Sequence, residues 1–256
     1  MSTYKALSMK KSKLKHILLA LLFYIALVSF IVLSYPGRDN FRIEAVFGYT
    51  NILAKGYINT IIISLIVLVL SLLFGFVLYL LSNSKILTFK YISNIFSEVV
   101  FGTPTIVFLI VTFYFIAVPL NLTNRFLAGI IGFSLFMGPY MRNAFIGAIK
   151  SIDDTQYQAM KVLGFSSYQK YRYIILPQLV KVIIPPMIGN LAIIIKGSSL
   201  LNFIGVEELY NQITTIQSRT YAVVEGYLIM FLLYLSITIP LIFLAKYFEK
   251  KVASWI

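Results

Sequence analysis

Four ionisable residues, Glu98, Arg142, Lys196 and Glu225, stand inside or at the edge of long apolar runs. A charge held in hydrocarbon costs at least a few kcal/mol, so such a residue must meet a partner or face a watery cavity, and it marks a functional pathway by default. Glu98 and Glu225 lie near the ends of their runs, within reach of interfacial water, Glu225 more so. Lys196 closes its run and can snorkel outward along its own stem. Arg142 lies about two helical turns from Lys150 and is the hardest of the four to place at an interface; Asn143 stands beside it. Other chemistries are closed. The chain has no cysteine and a single histidine, His16, which excludes a disulfide framework, a thiolate nucleophile and a histidine-built metal site. The string Lys196-Gly197-Ser198-Ser199 has the look of a phosphate loop but lacks the upstream glycine and the preceding strand. Nothing in the chain is therefore expected to hydrolyse ATP, although an Asp/Glu-based or Ser-based intramembrane enzyme stays formally open.

The elements that must position these residues are membrane helices. The 256 residues are 59% hydrophobic and 12% charged, against roughly 25% charged in a soluble domain. About 20 apolar residues cross the roughly 30 Å of a hydrocarbon layer, and six runs qualify: 17–35, 61–81, 99–118, 126–149, 179–195 and 223–245. The first follows Lys10, Lys11, Lys13 and Lys15, is longer than a cleavable leader's apolar region and ends on Leu33-Ser34-Tyr35-Pro36, so it reads as an uncleaved helix. Thr103-Pro104 and Pro185-Pro186 predict interruptions, because proline lacks an amide hydrogen and clashes with the preceding turn. The net charge of +13 reflects topology, not nucleic acid: with both termini inside, the lysines and arginines concentrate on the cytoplasmic face. The chain thus reads as an all-α polytopic membrane protein, with no internal repeat and no Gly/Ser linker. A basic tail, first helix and outer loop occupy 1–50, and one membrane domain occupies 51–252.

Between the fourth and fifth runs lies an amphipathic stretch, residues 151–176. Asp153, Asp154 and Thr155 form an acidic start, helical spacing runs to Leu163, and Gly164 is a natural stop. Ser166 or Ser167 can cap a second short helix, and Pro177 suits the first turn of the next span. A helix, a turn and a helix lying across the cytoplasmic face is one reading; on composition alone a solvated loop fits as well.

The spacing here resembles the signature of the membrane-spanning subunits of bacterial ABC importers: Glu-Ala-Ala, three residues, Gly, nine residues, Ile, one residue, Leu-Pro. The chain carries Gln158-Ala159-Met160, then Gly164, Ile174 and Leu176-Pro177 at matching intervals, with Gln158 in place of Glu and Met160 in place of the second Ala. Further strings resemble the polar amino acid uptake branch of that family: Lys55-Gly56-Tyr57, Thr60 and Gly75; Phe101-Gly102-Thr103-Pro104 preceded by Glu98; Asn190, Lys196, Ser198-Ser199-Leu200, Glu208-Leu209, Glu225, Tyr234 and Glu249. The likeness runs from about Lys55 to Val252.

This resemblance implies a five-helix core of the type I importer kind, preceded by one accessory helix, in a bacterial cytoplasmic membrane. It implies a coupling helix within about 153–177 that docks on a separate ATPase through Asp154, Gln158, Ala159, Met160, Lys161, Gly164, Phe165 and Ser166. ATP and magnesium would belong to that partner, an ATP-binding cassette dimer. An extracytoplasmic solute-binding protein would deliver an amino acid or similar solute, and a second permease subunit, identical or related, would complete the channel. Glu98, Thr103, Arg142, Asn143, Asn190, Lys196, Ser198 and Ser199 are the expected pathway residues, although polar groups in spans commonly just link helices. The chain departs from the family where Asn143 replaces Glu, Ile146 replaces Arg and Phe101 replaces Arg, while Arg142 is new. A buried ion-pair network exchanged as a unit would account for this, as would family drift with water solvating what remains, and losing the acid at 143 argues against a cationic solute. The rival readings are a stand-alone secondary transporter or channel, which leaves the Gly164 to Pro177 spacing unexplained, and an intramembrane enzyme or anchor.

Overall fold

The computed structural model describes residues 41–253 continuously, with scattered positions between 19 and 34. The expected first span at 17–35 and the basic tail before it lie outside the continuously described residues. Met1–Glu44 and Ala45–Ile256 form two units, and the second carries every helix from Thr50 onward. Every regular element among the described residues is helical: α1 (Ile43–Phe47), α2 (Thr50–Ser82), α3 (Leu87–Gly102), α4 (Thr105–Val111, prolonged as a π-turn over Thr112–Ala117), α5 (Arg125–Lys150), α6 (Asp154–Val162), α7 (Ser167–Gln169, prolonged as a π-turn over Lys170–Ile175), α8 (Leu176–Gly197, tightening to 3-10 over Ser198–Ile204), α9 (Leu209–Thr220) and α10 (Val223–Ala253).

Among the described residues, three helical stretches are long and apolar enough to cross a membrane alone, Thr50–Ser82, Ser167–Ile204 and Val223–Lys251. The helices α2 and α10 present apolar side chains on all sides, as a lipid-facing helix does; Leu73 is 61% and Phe243 68% exposed. The central helix α5 is 26 residues long but carries Pro139, Arg142 and Asn143. It can be less apolar because it is enclosed: Phe133, Met137 and Met141 are buried against Ile63 and Val67 of α2, Leu109 and Phe113 of the α4 segment, and Ile194 and Leu201 of the α8 segment.

Small residues allow the central crossing. A Cβ on Gly75 of α2 would lie 2.5 Å from Met141 Cβ and 2.7 Å from the Gly138 carbonyl oxygen. Lipid supplies no hydrophobic drive between helices, so close backbone approach of this kind is what packs them.

Of the two interruptions expected at proline, the one at Thr103-Pro104 is present and the one at Pro185-Pro186 is not. The run 99–118 is not one helix. The α3 helix begins at Leu87 and meets the Thr105–Ala117 segment at 116°. Proline disfavours helical backbone in the residue before it; Thr103 is extended at φ −107°, ψ 130°, and Pro104 opens the next helix. Pro185-Pro186 does not interrupt its span, since α8 is continuous across both residues. Two absent donors remove two rungs only, to the carbonyls of Lys181 and Val182, and membrane helices tolerate such losses where neighbours can satisfy the freed groups.

Candidate functional site

The segment between α5 and α8 folds as a capped unit. Asp153 accepts hydrogen bonds from the Thr155 amide and hydroxyl, each at 2.8 Å, and these donors hold its carboxyl below the usual range. The helix α6 ends in a two-bond left-handed cap: the Gly164 amide donates to the Lys161 carbonyl at 3.2 Å and the Phe165 amide to the Met160 carbonyl at 3.0 Å, with Gly164 at φ +70°. The contact that accompanies this motif is present, Phe165 packing on buried Met160. Ser166 then begins α7 with a reciprocal box. Its amide donates to Gln169 Oε1 at 2.9 Å and its hydroxyl accepts from the Gln169 amide at 3.2 Å.

This unit has an inner and an outer side. Ile152, Met160 and Ile175 are buried with Tyr157, Ile174 and Leu179 around them, and Gln178 donates to Gln156 at 3.0 Å across the gap between α6 and α8. Asp154, Gln158, Ala159, Lys161, Gly164 and Ser166 are exposed. Of the expected docking residues, Met160 points inward, 3% exposed, and Phe165 is half-buried; both hold the segment together. Val162 and Leu163, which the sequence pattern left out, are 87% and 72% exposed, so the outer edge carries an apolar tip beside small Ala159.

The expected pathway residues do not converge on one point. Arg142 of α5 reaches α3, where Nη1 donates to Ser97 Oγ at 2.8 Å and Nη2 to Asn94 Oδ1. Its Nε is buried with no acceptor among the described residues. Glu98, one residue from Ser97, is exposed. Asn143 is exposed too, and Asn190 lies against Met141 Sδ at 3.4 Å. Thr103 Oγ1, Ser198 Oγ and Ser199 Oγ donate back to their own helices, to the carbonyls of Val99, Ile195 and Lys196. Lys196 is exposed at the end of α8.

A polar cluster whose members, Gly56, Thr60, Glu208 and Tyr234, the sequence offered only as separate family-like strings joins α2, α9 and α10. Glu208 is fully buried and caps α9, accepting from the Tyr210 and Asn211 amides at 3.0 and 2.9 Å and from the Tyr234 hydroxyl at 2.8 Å. Burial pushes its carboxyl above the ordinary value despite these donors. Thr60 Oγ1 accepts from the Leu209 amide at 3.0 Å. Gly56 lets α9 approach, since a Cβ there would fall 2.9 Å from Gln212. An acidic residue directly before an amphipathic run was the available signal.

Residues 85–254 match the family described as binding-protein-dependent transport system inner membrane component. The chain is similar to a putative glutamine transport system permease protein of Rickettsia prowazekii, 27% identical over 198 residues, covering 77% of this chain and 91% of the relative. It is also similar to a probable glutamine ABC transporter permease protein of Bacillus subtilis, 26% identical over 213 residues, covering 82% and 97%. Among solved structures, an amino acid ABC transporter with histidines superposes at TM-score 0.75 with 26% identity, covering 82% of this chain and 98% of that one. The MetNI methionine ABC transporter, inward-facing, superposes at TM-score 0.66 with 15% identity, covering 79% of this chain and 97% of that one, a likeness of fold. With two thirds of its length under that family's pattern, the chain belongs to the inner-membrane components of binding-protein-dependent transport systems.

Proposed function

We propose that the chain is the permease subunit of an ATP-driven importer for an amino acid or amino-acid-like solute, coupled through α6 to a separate ATPase. The observation that carries this reading is the capped unit from Asp153 to Gln169. A segment that transmits force must not fray. Here both ends of α6 and the start of α7 are capped, and the inner side is pinned by Met160 and Ile175. The outer edge of Gln158, Ala159, Val162 and Leu163 is left for a partner. Gln158 can hydrogen-bond there without charge, and the 72–87% exposed Leu163 and Val162 fit an apolar groove. Asp154, Lys161 and Ser166 flank that edge.

In this reading the partner ATPase dimer binds ATP and magnesium, a solute-binding protein delivers cargo from outside, and a second permease subunit, the same chain or a relative, completes the pathway. The span that follows α7 is continuous with it from Ser167 to Ile204, so a push on the outer edge passes directly into a membrane helix. Both termini lie in the cytoplasm of a bacterial cell, and α6 lies on the same side. Arg142, Glu98 and Asn143 face the pathway, with Thr103, Asn190, Lys196, Ser198 and Ser199 supporting it. Domain limits near 51 and 252 follow from the same reading.

The test is purification of the chain from native membranes. A nucleotide-hydrolysing subunit is expected to accompany it and to be lost when Gly164→Leu distorts the cap, while Gly147→Ala, on α5 with no atom within 4 Å of the added carbon, leaves it attached. No co-purifying ATPase, or attachment indifferent to Gly164→Leu, would overturn the assignment.

A further inference from the structure

We propose that the start of the helix formed by α7 and α8 binds one anionic phospholipid, its phosphate on Arg172 beside the Tyr168–Tyr173 pair and an acyl chain along Leu176 and Val180. The inference goes beyond the importer reading and does not depend on it, since it needs only a helix that crosses the membrane.

The helical stretch Ser167–Ile204 has 38 residues, about 57 Å of helix against roughly 30 Å of hydrocarbon. Its beginning is not apolar: Ser167-Tyr168-Gln169-Lys170-Tyr171-Arg172-Tyr173 precedes Ile174. Tyr168, Tyr171 and Tyr173 are 69%, 53% and 65% exposed. A tyrosine has an apolar ring and a polar tip, and it is best satisfied at headgroup level, where one end is dry and the other wet. The exposed stripe then continues into the span, because Tyr173, Leu176 and Val180 recur at helical spacing, and the last two are 47% and 55% exposed. Buried Ile175 and Leu179 face the other way, onto α6.

The π-turn over Lys170–Ile175 shapes this surface. Residues five apart on an α-helix point about 140° away from each other, whereas a turn closed by i to i+5 hydrogen bonds brings such positions back together. Tyr168 and Tyr173 accordingly meet edge-on, with ring centroids 6.4 Å apart. Lys170 lies over the Tyr157 ring of α6 at 5.7 Å, which leaves Arg172 as the outward cation. Arg172 is exposed and pairs with no acid among the described residues. From Thr155 to Val206 the chain carries Lys161, Lys170, Arg172, Lys181 and Lys196 and neither Asp nor Glu, so the neighbouring sequence supplies no counter-charge. A phosphate diester suits the planar guanidinium fork, and a fatty chain suits the apolar stripe that follows it. A soluble anion would use the first and leave the second bare; a phospholipid uses both.

The test is lipid selectivity read at the stripe itself. The chain has one tryptophan, Trp255, so Trp255→Phe combined with Val180→Trp gives a single reporter there, and Leu176→Trp gives a second, independent one. The full chain is reconstituted in phosphatidylcholine vesicles, into which brominated phosphatidylglycerol or brominated phosphatidylcholine is titrated, and quenching of the tryptophan is measured. The anionic lipid is expected to be preferred by about tenfold or more. Arg172→Gln should lower that preference about fivefold, the effect of one cation at the surface, with Arg172→Lys between. Lys85→Gln, which removes an exposed cation from the turn between α2 and α3, should leave it unchanged. The preference is a ratio within one variant, so a smaller folded fraction does not imitate its loss. Equal quenching by the two lipids overturns the proposal. So does a preference that Lys85→Gln lowers as much as Arg172→Gln, which would mark a diffuse positive face, and so does a reporter that neither lipid reaches, which would mark a protein surface covering the stripe. Whether an ATPase co-purifies with the chain bears on the importer reading alone.

Discussion

The Tyr234 hydroxyl donates a 2.8 Å hydrogen bond to the buried carboxylate of Glu208, and so ties the start of α9 to the middle of α10. The same carboxylate caps α9 through two backbone amides, while Thr60 of α2 accepts the Leu209 amide. Three helices thus share one polar knot. Around it Leu209, Ile213 and Ile216 bury themselves against Val46, Leu53 and Ile229. This makes α9 a fixed platform and not a loose connection between two spans.

Glu208→Ala leaves two amides and a phenol without their acceptor, and a buried donor left unmet costs about 1–3 kcal/mol. Thermal unfolding in detergent should register that loss. Glu208→Gln keeps an acceptor and should cost less.

The same residue predicts a pH dependence. Its pKa is higher in the folded chain than in the unfolded one, so the folded state binds more protons and stability falls as pH rises from the ordinary glutamate value, about 4.3, through the raised one. Glu208→Gln should flatten that limb of a stability-against-pH curve. A steeper fall in the variant than in the wild type would contradict the sign.

The crossing of α2 and α5 predicts a contrast between two glycines. At Gly75 a methyl meets the Gly138 carbonyl oxygen at 2.7 Å and the Arg142 amide nitrogen at 2.9 Å, backbone that cannot step aside. Overpacking of this sort costs about 1–3 kcal/mol. Gly147 has open space around it, and Gly147→Ala should be neutral or stabilising by up to about 1 kcal/mol. Melting temperatures of the two variants, measured side by side, check the difference.

What the sequence made legible was mostly local. Asp153, Gly164 and Ser166 act within four residues of themselves, and their caps stand where the residue types put them. The break at Thr103-Pro104 is local too, since proline acts on its immediate neighbour. Pro185-Pro186 shows the limit of that reasoning: the same residue type leaves a helix whole when the remaining rungs hold. Orientation was harder. Met160 occupies a position in the family pattern yet faces inward, and Val162 and Leu163 lie outside the pattern yet form the exposed tip, because the burial of Ile152 and Ile175 fixes which side of α6 is covered. Glu208 meets Tyr234, 26 positions distant, and the Leu209 amide meets Thr60, 149 positions distant; no spacing rule links them, only the packing of three helices. Ser97 and Asn94, which hold Arg142, were hidden for the same reason.

Lys55 and Glu207 form an ion pair whose side chains are 61% and 56% exposed. Exposed pairs contribute about 0–1 kcal/mol, so Lys55→Met should barely change unfolding, at low or high salt. Asn59, which donates to the Glu207 carbonyl at 2.7 Å, should matter as much or more, about 0.5–1.5 kcal/mol in Asn59→Ala, although it carries no charge. A larger loss from Lys55→Met than from Asn59→Ala would reverse this ordering.

Gly164 serves the proposed coupling edge in one of two ways, and substitution separates them. Its φ of +70° demands a residue at ease in the left-handed region, whereas the space around its missing Cβ is open within this chain. Asparagine tolerates that backbone and valine does not. If backbone shape is what the ATPase reads, Gly164→Asn should retain most of the attachment and Gly164→Val should lose it, with the valine variant also destabilised by about 1–2 kcal/mol. If the partner presses directly on the glycine, both variants should detach alike. Co-purification, quantified for the two in parallel, distinguishes a turn that sets the angle between α6 and α7 from a surface that must simply be small.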